Sequence, residues 1–186
     1  MAPEQLPDGI EGERLTLRRW VTADAPILAA SVKRNLEHLR PWMPWAAYEP
    51  LPMDDRLVLL NTWEREWLDG GDAVMAILLG GDVVGGTGLH RRRGPHGIEI
   101  GYWVDKDHLG QGIARDTVSM LTTAALAQSE ISFVEIHHDK ANVWSARIPE
   151  GLGYEFVGES TDTVDAPGEI GIDCAWRVTA DTWKTD

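Results

Sequence analysis

Hydrophobic and polar positions change rhythm along the chain, and the changes mark its elements. From residue 98 to 104, Ile98, Ile100, Tyr102 and Val104 alternate with Glu99, Gly101 and Trp103, a two-residue period that predicts a strand. Its second face carries one carboxylate among glycine and indole, so the strand is expected to be covered on both sides. After Arg115 the period lengthens. Ala114, Val118, Leu121 and Ala125 recur at three and four residues, the stripe of a helix lying on a sheet. Leu109-Gly110-Gln111-Gly112-Ile113-Ala114-Arg115 joins the two, so turn and helix start coincide.

The rest of the chain reads around that centre. Arg14–Trp20 alternates as a first strand, with Thr22 or Asp24 as N-cap and Pro26 in the first turn of a helix reaching about Leu36. Pro41, Pro44, Pro50 and Pro52 then forbid regular helix. Asp54 is read as the cap of a second helix through Trp67, ended by Gly70-Gly71. Ala73–Leu79 and Val83–His90 form a hairpin across Gly80-Gly81-Asp82. Beyond the central helix come a strand at Phe133–Asp139, a short helix at Asn142–Gly151, and strands at Tyr154–Glu159 and Ile170–Val178. The order predicts an α+β, or mixed α/β, fold with a central sheet of about seven strands and about four helices.

Composition narrows the class. A chain of 186 residues, 43% hydrophobic and 25% charged, is expected to form a single domain over residues 1–186. It has no apolar run of membrane-spanning length and no basic-then-apolar leader at Met1–Glu13, so a soluble, cytoplasmic protein is expected. Cys174 is the only cysteine and reads as a buried apolar residue. A formal net charge of −13 argues against nucleic-acid binding, which needs clustered Lys and Arg; it would attract cationic substrates or simply keep the surface solvated.

The turn at 109–115 carries the first chemical signal. Gly110 and Gly112 let the backbone approach a ligand, and the first N–H groups of a helix have no partner within it, so a phosphate or pyrophosphate can sit there. No Lys-Ser/Thr follows the glycines, and Arg115, followed by Asp116 and Thr117, stands where a GxGxxG dinucleotide fingerprint needs its last glycine; triphosphate and dinucleotide folds are disfavoured. The segment resembles the acyl-CoA-binding turn of the GNAT superfamily of N-acetyltransferases, Gln/Arg-x-x-Gly-x-Gly/Ala. Gly112 and Ala114 match, while Leu109 departs at the first position and leaves the backbone cradle without a side-chain contact there.

A second signature sharpens the resemblance. Within residues 135–159, Asn142, Ser145, Leu152, Gly153 and Tyr154 stand in the places of the Asn-x-x-Ser and Leu-Gly-Phe/Tyr pattern of the RimJ/RimL branch. The RLTLRRW opening, the RPWMPW loop and the IEIGYWV strand are similar to the same branch, so nearly the whole chain is covered. That likeness implies the GNAT fold, acetyl-CoA as cosubstrate, and an amine acceptor, foremost a protein N-terminus. It also implies that Asn142 bonds the pantetheine arm, that Ser145 protonates the sulfur, and that edge strands can support a homodimer. Asn142 and Ser145 are also ordinary residues for capping the last helix.

Acyl transfer from a thioester to an amine needs a neutral amine, donors for the oxyanion and a proton for the departing thiolate. Glu99, on a buried strand beside the turn, is the candidate for taking the amine proton, directly or through water. Its alternative is a structural ion pair with an arginine such as Arg14 or Arg18. Backbone N–H groups of Tyr102, Trp103 and Val104 are candidates for the thioester carbonyl and the pantetheine amides if their strand splays from its neighbour. Trp42, Trp45 and Tyr48 line an acceptor pocket or plug the core. Arg91-Arg92-Arg93 reads as an exposed basic loop. His137 and His138 point to opposite faces of a strand, so no metal site is expected. A small amine as acceptor, succinyl-CoA or another acyl donor, and a non-catalytic CoA sensor remain open beside the leading reading.

Overall fold

The computed structural model describes residues 4–184. Met1–Pro3, the start of the stretch read for a leader, and the last residues of the expected domain lie outside them. Eight strands form one sheet: β1 Gly9–Glu11, β2 Leu15–Arg19, β3 Ala73–Leu79, β4 Asp82–His90, β5 Gly97–Val104, β6 Phe133–Asp139, β7 Glu155–Thr161 and β8 Ile172–Thr179. Their order is β1-β2-β3-β4-β5-β6-β8-β7. Four helices accompany them: α1 Ala25–Leu39, α2 Met53–Leu68, α3 Ile113–Leu126 and α4 Val143–Gly151. The sequence predicts one strand fewer, because the three residues of β1 are too few for a period to register.

The two faces of the sheet bury different stripes. Against α3 lie Leu17, Met75, Ile77, Leu89, Ile98, Ile100, Val134 and Ile136, meeting Ile113, Val118, Leu121 and Ala125 of the helix. Against α1 and α2 lie Ala76, Leu78 and Val83 with Trp20, Leu28, Val32 and Leu60. Capping differs from expectation. Asp24 does precede α1, but its carboxylate accepts from the Arg18 guanidinium and the Val21 N–H rather than from the helix. Pro52, not Asp54, stands at the head of α2.

Among the described residues seven neighbouring strand pairs are present and only β5–β6 is parallel. That pair is short, matching Gly97 with Phe133, Ile98 with Val134 and Glu99 with Glu135, after which pairing stops. β5 continues to Val104 bonded to β4 alone, and β6 continues to Asp139 bonded to β8 alone. The sheet therefore splits beyond Glu99.

Candidate active site

Backbone alternation fixes what faces the split. The Gly101 carbonyl accepts from Thr87 Oγ1 at 2.7 Å, and the Asp105 N–H donates to the Val84 carbonyl at 2.8 Å, so odd-numbered residues of this stretch bond toward β4. Successive peptide groups of a strand point to opposite edges. The N–H and C=O groups of Tyr102 and Val104 accordingly face the gap, while those of Trp103 face β4. Of the three backbone candidates, Trp103 is thereby turned away.

The glycine turn lies just past the end of β5. Gly110 and Gly112 hold φ of 73° and 79°, left-handed values that glycine tolerates at little cost, and a Cβ at either would meet nothing within 4 Å. Gly112 is the N-cap of α3, and the first intrahelical bond runs from the Asp116 N–H to its carbonyl. The N–H groups of Ile113, Ala114 and Arg115 precede that bond and open outward. Arg14 steadies the turn by donating to the Gln111 carbonyl at 2.7 Å and pairing with Asp116 at 3.2 Å. Gln111 donates to the Asp107 carbonyl, Ile113 is buried in the core, and Leu109 is 51% exposed, with no side-chain partner to offer a ligand.

On the other bank of the split stands α4. Asn142 is its N-cap, with Oδ1 accepting the Ser145 N–H at 3.3 Å, so the capping role is present. The Ser145 carbonyl accepts from the Tyr102 hydroxyl at 3.3 Å, which ties α4 across the gap to β5. Burial pushes the Tyr102 phenol far above its ordinary range, so this hydroxyl stays protonated.

Glu99 lies on the opposite face of β5 from α3, only 9% exposed, with both oxygens engaged. Arg93 donates through Nε at 2.8 Å and through a second nitrogen, and Arg92 approaches to 3.4 Å. The expected alternative of an ion pair is correct in kind but wrong in partner: Arg14 serves the turn and Arg18 pairs with Asp24 at 2.6 Å. The basic loop is likewise not free. Arg91 reaches Glu130 at 2.7 Å, and Arg93 also meets Glu135 at 3.5 Å. Carboxylates on β5, on β6 and in the turn before β6 draw these arginines inward, which spacing within the basic turn does not reveal.

The same face holds His137, with Nε2 2.9 Å from Glu135 and Nδ1 2.8 Å from Asp173. Burial works against its charged form, but the two carboxylates outweigh it and hold the imidazole pKa above its ordinary value. His138 points the other way and accepts from the Trp176 indole at 3.0 Å. Among the described residues no group of three or more His, Cys, Asp or Glu is arranged to hold a metal ion. A cleft of about 500 Å³ opens between Arg92, Arg93, Glu99, His137, Asp162 and Asp173.

The tryptophan loop borders this face higher up. Pro44–Tyr48 is a single 3-10 turn whose buried residue is Ala46, while Trp45 is 38% and Tyr48 78% exposed. An indole plug is therefore not what holds this loop. Trp42 is half-buried, and Trp45 stands 6.5 Å from Trp103, ring centre to ring centre. Two further features here carry no mark in the sequence: His90, which lies against Gly88 and Gly101, and the buried Asp105, which joins the end of β5 to α1. Their partners lie far away in the chain, and no motif marks them.

A sheet split beside a strand whose backbone groups are free, leading to a glycine turn at a helix start, is an arrangement suited to an extended, phosphate-bearing carrier. Residues 14–155 match the acetyltransferase (GNAT) domain, and the chain belongs to that family. It is 28% identical over 151 residues, 81% of this chain and 82% of the relative, to YdaF of Bacillus subtilis (strain 168), provisionally assigned as a ribosomal N-acetyltransferase. The fold is that of RimL, the ribosomal L7/L12 alpha-N-protein acetyltransferase solved with coenzyme A: TM-score 0.84, 19% identity, 96% of this chain and 99% of that one. It is also that of Mycobacterium smegmatis RimJ solved with a CoA disulfide: TM-score 0.81, 20% identity, 94% of this chain and 88% of that one.

Proposed function

We propose that this protein, a single GNAT domain over residues 1–186, transfers acetyl from acetyl-CoA to the α-amine of a protein N-terminus by direct attack. The observation that carries the reading is the split after Glu99 and Glu135, which leaves the gap-side backbone groups of Tyr102 and Val104 without a partner strand beside the glycine turn. A pantetheine arm carries amides that match free strand groups, and its pyrophosphate suits the N–H groups of Gln111–Arg115. Leu109 contributes backbone only. The N–H of Tyr102 or Val104 supplies a donor for the oxyanion, and Ser145 Oγ, which makes no hydrogen bond among the described residues, supplies the proton for the thiolate. Asn142 bonds the arm as well as capping α4.

The acceptor approaches from the face of Glu99, Trp103 and Trp45, with Trp42 and Tyr48 at the rim. Glu99, paired with Arg93 and Arg92, stands there as the carboxylate that draws and orients an ammonium. Direct attack suits a chain whose one cysteine, Cys174, is buried on β8 and cannot carry the acetyl group in between. The relatives' names favour a ribosomal protein as acceptor, and the reading includes a cytoplasmic place of action and a homodimer built on the open edge of β7. No helix among the described residues is long and apolar enough to cross a membrane.

At pH 7 roughly a tenth of an α-amine is neutral against less than about a thousandth of a lysine amine, from reference pKa values of about 8 and 10.4. The test uses acetyl-CoA and a peptide with a free α-amine and an internal lysine, with the acetyl mark located by fragmentation mass spectrometry. The mark is expected on the α-amine. Acetyl on lysine alone, or turnover confined to small amines, would contradict the reading.

A further inference from the structure

His90 closes β4 directly opposite Glu99, and its ring is fixed from one side only. Nδ1 stands 2.7 Å from Asp72 Oδ2, while the other Asp72 oxygen accepts the Arg91 N–H at 2.8 Å. Burial pushes the Asp72 carboxyl up, yet the hydrogen bonds from His90 and Arg91 and the charges of His90 and Arg92 outweigh it and bring it below its ordinary value. Asp72 is thus a carboxylate that can only accept. In the neutral ring Nδ1 then carries the proton, and Nε2 presents its lone pair.

Nε2 lies over the face of β4 and β5. A Cβ placed on Gly88 would come within 2.7 Å of Nε2, and one on Gly101 within 3.4 Å. At Gly101 the His90 ring is all that such an atom would meet within 4 Å, so the rest of the space above this glycine is open. Tyr102, the first residue facing the gap without a partner strand, follows at once. The Glu99 carboxylate leans the other way, into Arg92 and Arg93 of the turn beyond β4. Both side chains share one face, but only His90 offers an unengaged acceptor on the side where the thioester would lie.

We propose that His90, oriented by Asp72, is the group that takes the proton from the attacking amine; this rests on the acetyl-transfer reading, though not on which amine is used. An ammonium must lose two protons to become an amide nitrogen. The first passes to His90 Nε2, and the imidazolium so formed is held by Asp72. The freed nitrogen pair bonds to the thioester carbon, and the carbon–sulfur bond breaks with its electrons on sulfur. The second nitrogen proton reaches the thiolate through Ser145 Oγ. His90 then releases its proton to solvent, so that ammonium and thioester yield amide, free thiol and one proton.

The experiment measures free-thiol release from acetyl-CoA with whichever amine the wild-type protein turns over best, in wild type, His90→Ala, His90→Gln and Asp72→Asn. Both His90 variants should lose kcat by on the order of 10²- to 10⁴-fold, with the KM for acetyl-CoA held within about twofold. Asp72→Asn should fall in the same direction, because an amide N–H facing Nδ1 turns the tautomer over and removes the lone pair from Nε2. Added imidazole should restore turnover to His90→Ala, which leaves a space for it, and not to His90→Gln. A His90→Gln variant within about threefold of wild type would overturn the proposal. So would a loss in folded His90→Ala that imidazole leaves unchanged, since a merely structural ring predicts that result. If none of the amines supports thiol release by the wild-type protein, the acetyl-transfer reading itself falls and the inference with it; the wild-type arm separates that failure from the others.

Discussion

The role proposed for Ser145 is compatible with its structural contacts. Its N–H belongs to the Asn142 cap and its carbonyl to the Tyr102 hydroxyl, so the residue is held by its backbone while Oγ stays available. Ser145→Ala should therefore lower kcat by on the order of tenfold to a thousandfold and leave the KM for acetyl-CoA and the melting temperature near wild type. Steady-state kinetics beside a melting curve checks this, and an unchanged kcat would leave only the cap. At this scale the sequence was informative where function is written in local spacing. Asn142 and Ser145 sit three apart at a helix start, and Glu99 is the lone carboxylate on an otherwise apolar or small strand. It was silent where function depends on a partner far along the chain: the Arg92 and Arg93 clamp on Glu99 comes from a turn that reads as solvated, and Asp72 lies eighteen residues from the histidine it orients.

Between elements, the join that matters most is the one holding the end of β5 to α1. Asp105 is 1% exposed and accepts from Arg34 at 2.8 and 2.6 Å, from the Asn35 amide at 2.9 Å and from the Asp107 N–H at 3.0 Å. Asn35 completes the grip by accepting the Lys106 N–H at 2.8 Å. The glycine cradle begins only a few residues on, so this anchor sets where the turn sits. Burial alone would raise the Asp105 carboxyl; the bonds from Asn35, Asp107 and Arg34 and the Arg34 charge reverse this and bring it down to about 2. A carboxyl depressed in the folded state stabilises it at any pH above the unfolded value near 4, and that contribution drains away as pH falls from about 4 through about 2. The amount at stake is on the order of 2 kcal/mol. Denaturant unfolding between about pH 5 and 2 should show wild type losing that stability and Asp105→Asn, weaker from the outset, losing less of it; parallel curves would contradict the assignment. The elements themselves were legible, because β5 and α3 have clean periods and a turn between them. The split was not, since alternation says which face a residue takes but not where a neighbouring strand stops pairing.

Taken whole, and on the proposed reading, the molecule sets its acyl-carrier site and its acceptor site on opposite sides of one parted strand pair. In that reading the side facing α3 would supply the cradle and the thiolate proton, and the side facing α1, α2 and the tryptophan loop the carboxylate and the imidazole. Net charge of −13 fits a cationic amine as the incoming partner, and several arginines, Arg18, Arg56, Arg93 and Arg177 among them, are already paired with carboxylates inside the fold. All of this depends on acetyl-CoA lying in the split, with its arm along the free edge of β5. Amide hydrogen exchange followed by NMR, with and without saturating acetyl-CoA, tests that most directly. The N–H groups of Tyr102 and Val104 and those of Gly112–Arg115 should become protected, while Trp103, already turned to β4, stays as it was; ATP and NAD should change none of them. Protection that spares Tyr102 and Val104, or that ATP reproduces, would contradict the account.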